Sequence, residues 1–357
     1  MTYRHNRRQF LWLGTGALSS SLLLKACGTS TTAPPSSSSE ASPGSTAPTQ
    51  SFKAAIVLPG IITDKAWNQA GYEGLTVAKD KLGVETAYVE KVSQADQAEA
   101  LSDFARRGFN LVFAHGGQFD AAIQQVAGQF PKTFFVGVNG AASGSNIASL
   151  RIDHLQASYI CGIIGASMTK TNKMAYLAGQ EFQATQEEMR GFELGAKSVK
   201  PEIAITSSFT GDWNDAAKAK EAVEALISSG SDVIFQWLDN AAPTVLQTAA
   251  DKGVYAFGNT ADQLEVAPKA VLTSSVKRID LAIAYLADLA LKQELKGEIY
   301  TLGLDKPDIL FLGKYGVAVP EQVKKQAEAA KQAILDQKLV FEACKENGKE
   351  TRCVKKA

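Results

Sequence analysis

The chain has 357 residues with 37 basic and 37 acidic side chains, 45% apolar residues, four cysteines and three histidines. A nucleic-acid binder usually carries a concentrated basic patch, and no stretch here supplies one. Only His115 and His154 lie beyond the first 26 residues and there is no Cys-x-x-Cys, so no zinc ligand set is expected.

The first element, "RHNRRQFLWLGTGALSSSLLLKAC", joins a basic head, an apolar stretch from Phe10 to Leu24 and a cysteine, the order of an export signal. The stretch is shorter than the ~20 residues of a spanning helix, and Gly14, Gly16 and Ser19 to Ser21 dilute it. Arg7-Arg8 before Gln9-Phe10-Leu11 resembles a twin-arginine signal. Leu24-Lys25-Ala26-Cys27 resembles a lipobox, with Lys25 atypical at its middle. This reading makes residues 1–26 a signal peptide and Cys27 the lipid attachment site; the alternative is cleavage nearby without a lipid. Residues 27–51, rich in Ser, Thr, Pro and Ala, then form a disordered tether. An exported monomer is expected, lipid-anchored to the cell membrane and facing the periplasm or exterior. Arg4, Arg7, Arg8 and Lys25 all precede Cys27, which leaves the remainder mildly acidic.

From Phe52 onward short apolar runs alternate with helical patterns: "KAAIVL", "VETAYV", "NLVFAH" and "KTFFVGV" are each followed by a helix or loop. That is the rhythm of parallel strands with crossover helices. "QASYICGIIGASMT" reads as an amphipathic helix, after which the rhythm restarts at "KMAYLAG" and runs through "EIAITSSF", "DVIFQWL" and "VYAFGN". Two such units predict an α/β chain of two doubly wound, Rossmann-like lobes with a ligand cleft between them.

Sheets of this kind take ligands beyond the carboxyl ends of their strands. The polar and aromatic residues there are Trp67 and Asn68, His115 and Gly116, Asn139, Phe209 to Trp213, Asp239, and Asn259 to Asp262. Trp67, in "GIITDKAWNQAGYEG", has two readings, as a plug at a helix start or as a platform for a ligand. His115 likewise either lines the cleft or satisfies a loop carbonyl. Asp64 is placed to cap a helix beginning near Ala66. There is no G-x-S-x-G elbow, and the lone "GTGALS" lies in the signal, so neither a catalytic residue nor a cofactor is expected. Cys161 reads as a buried apolar residue. Cys344 and Cys353 flank "KENGKETR" with its Asn347-Gly348 turn signal, and are expected to close a hairpin by a disulfide in an oxidising compartment.

"ITDKAWNQAGYEGL", "GDWNDAAKAKEAVEALISSGSDVIF", "DKGVYAFGNTADQ" and "LTSSVKRID" together resemble the basic membrane protein family, also called PnrA-like. These are bacterial surface lipoproteins that serve as substrate-binding components of ABC transporters, and some take up purine nucleosides. The likeness runs in matching order from about Phe52 to about Phe341 and implies a type I periplasmic-binding-protein fold. It places residues 52–172 and 273–300 in an N-terminal lobe and residues 173–272 and 301–343 in a C-terminal lobe, with crossings near Lys173, Thr273 and Tyr300. A tail or hairpin of residues 344–357 follows.

The resemblance implies an aromatic sandwich of Trp67, with Asn68 beside it, and Trp213 on the other lobe, plus sugar contacts from Lys277 and Asp262. Three positions depart from the family pattern. Leu58 stands where nucleoside binders have an acid that reads the base, Asp239 replaces a glycine, and Thr260 replaces an acid. The implied ligand is a planar heterocycle, a purine nucleoside first and a free nucleobase or flavin-like molecule second, and the implied partner is an ABC transporter permease. A ligand-responsive transcription regulator and a surface interaction or adhesion lipoprotein are the rival classes; the first would need a basic helix-turn-helix at its N-terminus.

Overall fold

The computed structural model describes residues 51–64, 67–346 and 348–356. The expected signal, Cys27 and the tether up to residue 50 lie outside the described residues. In chain order the first part comprises β1 (Lys53–Val57), α1 (Trp67–Leu82), β2 (Glu85–Val89), α2 (Gln97–Arg106), β3 (Leu111–His115), α3 (Asp120–Ala127), β4 (Phe134–Val138) and β5 (Ile147–Ile152). There follow α4 (His154–Met168), β6 (Lys173–Ala178), α5 (Gln183–Val199), β7 (Ala204–Phe209), α6 (Ala216–Ser228), β8 (Val233–Trp237), α7 (Ala242–Asp251), β9 (Tyr255–Thr260) and β10 (Val271–Lys277). The chain ends with α8 (Ile279–Leu291), β11 (Ile299–Leu302), β12 (Leu310–Leu312), α9 (Glu321–Leu335), β13 (Leu339–Glu346) and β14 (Lys349–Lys356).

Two six-stranded sheets result, in the orders β11-β5-β4-β3-β1-β2 and β12-β10-β9-β8-β6-β7. Every pairing in the first is parallel, and in the second only β12 runs antiparallel, against β10. The burial of each strand follows its place. Inner strands such as "LVFAH" of β3 are buried at every residue, because helices cover both faces of a parallel sheet. The edge strands β2 and β7 mix exposed and half-buried residues. Two apolar cores flank the first sheet, one around Phe104, Phe119 and Ile123 and one around Leu75 and Ile283.

Helix α4 departs from the expected amphipathic pattern, since from His154 to Ala166 every residue except Gln156 is buried, and no single face is polar. It packs between α5 and α9 against β10 and β12. Gly195 of α5 meets the Tyr159 carbonyl so closely that an added Cβ would lie 1.8 Å from it, and this proximity is what lets the two backbones touch.

That packing moves the expected lobe boundaries. α4 belongs to the second lobe, so the chain leaves the first after Ile152 and not near Lys173. β10 stays in the second sheet through Lys277, beyond the crossing expected near Thr273, and α8 then packs on α1. β11 carries the first sheet on through Leu302, past Tyr300. The reason is general: an apolar strand or an all-apolar helix does not encode which of two similar sheets it joins.

The C-terminal hairpin of β13 and β14 opens at Leu339, earlier than the expected residue 344, and Cys344 and Cys353 are disulfide-bonded within it. Arg190 of α5 holds the hairpin, donating to the Arg352 carbonyl at 2.8 Å and pairing with Glu346 at 2.7 Å. Cys161 is a buried free thiol, pushed up in pKa by its burial. Among the described residues no helix is long and apolar enough to cross a membrane.

Candidate ligand-binding cleft

The first wall is built at the start of α1. The Asp64 carboxylate accepts from the backbone N–H groups of Asn68 and Gln69, both at 3.0 Å, and from Asn68 Nδ2 at 2.7 Å. This is the expected cap, which satisfies amides that a helix start leaves open. Asn68 Oδ1 in turn accepts from the Gly60 N–H at 2.9 Å, tying the loop after β1 to the helix. Trp67 is thereby fixed on the first turn, facing the second lobe.

His115 lies behind that tryptophan. Its ring stacks on the indole with centroids 4.0 Å apart and planes 20° from parallel, and its Nε2 is 2.8 Å from the Trp67 carbonyl oxygen. The side chain is fully buried, and burial lowers its pKa to about 4. It is therefore neutral at pH 7, with Nε2–H donating to the carbonyl and a buried Nδ1 that has no partner. Of the two readings of His115, the structure gives the second: it satisfies a carbonyl and backs the indole, and it does not line the cavity. Room for it comes from Gly71, where an added Cβ would come within 2.8 Å of the imidazole. Gly116, at φ +136°, turns the chain out of β3 and also stays out of the cavity.

On the second wall Trp213 sits on Gly179, whose hypothetical Cβ would fall 2.3 Å from the indole. Phe182 stacks loosely beside it, with centroids 6.4 Å apart and planes at 21°, and Trp237 meets it edge-on at 6.3 Å. The Asp239 N–H donates to the Trp213 carbonyl at 3.0 Å, which locks the two loops together. Asn240 Nδ2 donates to Asn214 Oδ1 at 2.8 Å and across the cleft to the Asp64 carbonyl at 3.2 Å.

Three residues expected to touch the ligand lie elsewhere. The Lys277 ammonium is buried under Trp237, 3.6 Å from its ring centroid, where it pairs with Glu188 and donates to Asn259 Oδ1 at 2.6 Å. Glu188 also accepts from Asn259 Nδ2 at 2.8 Å and from the Tyr176 hydroxyl at 3.2 Å, so the carboxylate is fully enclosed. Burial raises the Glu188 pKa and lowers that of Lys277, and each is opposed by the charge of the other. Lys277 and Asn259 thus form a buried support for the wall, at a distance from the cavity lining. Asp262 is exposed and accepts from the backbone N–H of Lys314 at 3.0 Å, pinning the loop after β9 to the segment after β12.

Between the walls lies a cavity of about 280 Å³, lined by Asp64, Trp67, Asn68 and Asn139 from the first lobe and by Phe182, Thr185, Trp213, Asn214, Trp237 and Asp239 from the second. Five of the expected residues, Trp67, Asn68, Asn139, Trp213 and Asp239, meet here. Phe182 and Trp237 were not among them, although both follow the same rule: Trp237 ends β8 and Phe182 lies in the loop after β6. Leu58 is fully buried in the core, outside the lining. Asp239 has its pKa raised to about 6, first by burial and then by the nearby charge of Asp64.

Residues 52–344 match the family model described as ABC transporter substrate-binding protein PnrA-like. The chain is 30% identical to the transcriptional activator protein med of Bacillus subtilis over 69% of its own length and 77% of that protein's. It is also 30% identical to a purine-binding protein of Brucella abortus, covering 64% of this chain and 65% of that one. The ABC transporter nucleoside-binding protein BmpA of Lactococcus lactis gives 30% identity over 60% of this chain and 62% of its own. Among solved structures, an ABC transporter solute-binding protein of Aeropyrum pernix superposes with a TM-score of 0.71 at 18% identity, covering 83% of this chain and 94% of that one, which bears on the fold alone.

Proposed function

The chain belongs to the PnrA-like family of ABC transporter substrate-binding proteins, and from that premise we propose that it closes two lobes on a planar heterocycle, a purine nucleoside in the first instance, and passes it to a permease. The observation that carries the reading is the presence of Trp67 and Trp213 on opposite walls of one cavity, the first backed by His115 and the second seated on Gly179. A ring between them gains both contacts only when the lobes are shut, so binding and closure are coupled by differential affinity. A free nucleobase or flavin-like ligand is the second reading, favoured by Leu58 in the place of the family's base-reading acid. The similarity to a transcriptional activator does not alter the preference, because the segment before Phe52 reads as an export signal and tether.

Trp67→Ala and Trp213→Ala should each weaken nucleoside binding by roughly tenfold or more, on the ~1 to 3 kcal/mol scale of a stacked base. Trp→Phe should be tolerated at both sites. Calorimetry on the domain beginning at Phe52 decides it: a folded Trp67→Ala protein that binds as tightly as the parent would sink the aromatic sandwich, and no saturable binding by the parent would favour an adhesin. The same proposal holds the receptor at the outer face of the membrane by a lipid on Cys27. In a bacterial host Cys27→Ser should release it into the soluble fraction with its fold intact; a variant that remains membrane-bound counts against the anchor.

A further inference from the structure

Asp239 occupies the cavity without a protein counter-ion. Its carboxylate has no hydrogen-bond or ion-pair partner among the described residues, although the residue is mostly buried and its own backbone N–H is engaged. The described lining contains two carboxylates, of Asp64 and Asp239, and no cationic side chain. The Asp64 carboxylate is already committed to its helix, whereas no described residue compensates Asp239. Lys277 is shielded behind Trp237 and spent on Glu188. Beside neutral residues such as Asn68, Asn139 and Asn214, the lining holds four aromatic rings, of Trp67, Phe182, Trp213 and Trp237, and ring faces attract positive charge. A half-buried carboxylate without a partner is costly, and this cost is relieved when a ligand brings the missing charge or donors.

We propose that the ligand of this cleft carries positive charge on its planar ring, held against the indoles of Trp67 and Trp213 with Asp239 as its counter-ion. The inference rests on the cleft being the heterocycle site and adds the charge class of its occupant. It makes Asp239 the residue that selects among flat ligands of one size.

The test compares two isomers, 1-methyladenosine, whose ring is cationic near neutral pH, and N6-methyladenosine, whose ring is neutral, with thiamine as a cationic heterocycle of another class. Calorimetry on the domain beginning at Phe52 should show 1-methyladenosine or thiamine binding, and the cationic isomer preferred over the neutral one by roughly tenfold or more, the scale of a desolvated cation–π contact combined with a charged hydrogen bond. Asp239→Asn should reduce that preference to roughly twofold or less, with the thermal melt reporting that the variant folds. Equal binding of the two isomers by the parent overturns the charge assignment while leaving the nucleoside reading intact. A preference that survives in folded Asp239→Asn overturns the role of Asp239. Binding of thiamine alone removes the nucleoside and keeps the cation, and binding of none of the three defeats the inference. The isomer comparison in the parent decides the charge class even if Asp239→Asn does not fold.

Discussion

Asp239 carries a further consequence for the unliganded protein. Its carboxyl titrates at about 6 against the usual 3.8, because burial and Asp64 both disfavour the anion. A folded-state pKa above the unfolded one means that the folded chain takes up the proton first as pH falls. The contribution to stability is therefore fully present below about pH 4 and is lost as pH rises through about 6. At pH 7.5 the ionised side chain should cost the empty receptor on the order of 3 kcal/mol. Asp239→Asn should accordingly raise the melting temperature of unliganded protein at pH 7.5, with the gain vanishing near pH 4; a gain that does not vary with pH would remove titration as its cause. Such a residue fits a site where stability is given up for binding. At this scale the sequence was partly legible. Trp67 and Trp213 could be picked out because strand tips in doubly wound sheets are where ligands go, but the same rule also picked His115 and Asn259, and the family resemblance added Lys277. Position at a strand end says that a side chain is near the cleft, and only packing says whether it faces the cavity or props up the wall from behind.

Periodicity identified eight of the twelve strands of the two sheets, because most parallel strands are apolar runs bounded by polar loops, and it passed over β5, β10, β11 and β12. It failed on α4. "QASYICGIIGASM" contains Gln and Ser, which suggest a wet face, yet Ser158 donates back to the His154 carbonyl at 2.7 Å and Ser167 to Ile163 at 2.9 Å, so their polarity is absorbed by their own helix. The small residues that invite the amphipathic reading are the ones that allow α5 to come close. The C-terminal hairpin was legible from its turn and its two cysteines, but its grip on the body was not, since Arg190 lies far away in sequence and looked like one more charge on a solvated helix. Because α5 also supplies Thr185 to the cavity, the hairpin braces the helix that begins at the cleft.

Two contacts join the lobes directly without touching the cavity's rings. Arg151 of β5 pairs with Glu187 of α5 at 3.1 Å in a mostly buried setting, and Asn240 reaches the Asp64 carbonyl across the cleft. Contacts of this kind favour the shut form whether or not a ligand is present. Asn240→Ala should weaken ligand binding by roughly two- to tenfold, the worth of one hydrogen bond, although its side chain is not part of the cavity lining. Calorimetry gives the size of the loss, and small-angle scattering of the empty protein should show a more open average; unchanged affinity and dimensions would mean that the contact is incidental. The two-lobed plan was legible in the doubled strand-and-helix rhythm, while the three crossings were displaced because neighbouring sheets of one type compete for the same sequence pattern.

The position of β11 has a consequence for synthesis. It pairs with β5 at Ile299 opposite Ser149, so the outer edge of the first sheet stays bare while the whole inner part of the second lobe is being made. A nascent chain in this condition exposes unpaired backbone groups for as long as the ribosome needs to reach residue 302, and pairings that distant form slowly. A chain truncated before Ile299 should keep that edge bare and be prone to self-association. The sheet begun first is thus completed only after five of the six strands of the second have been made.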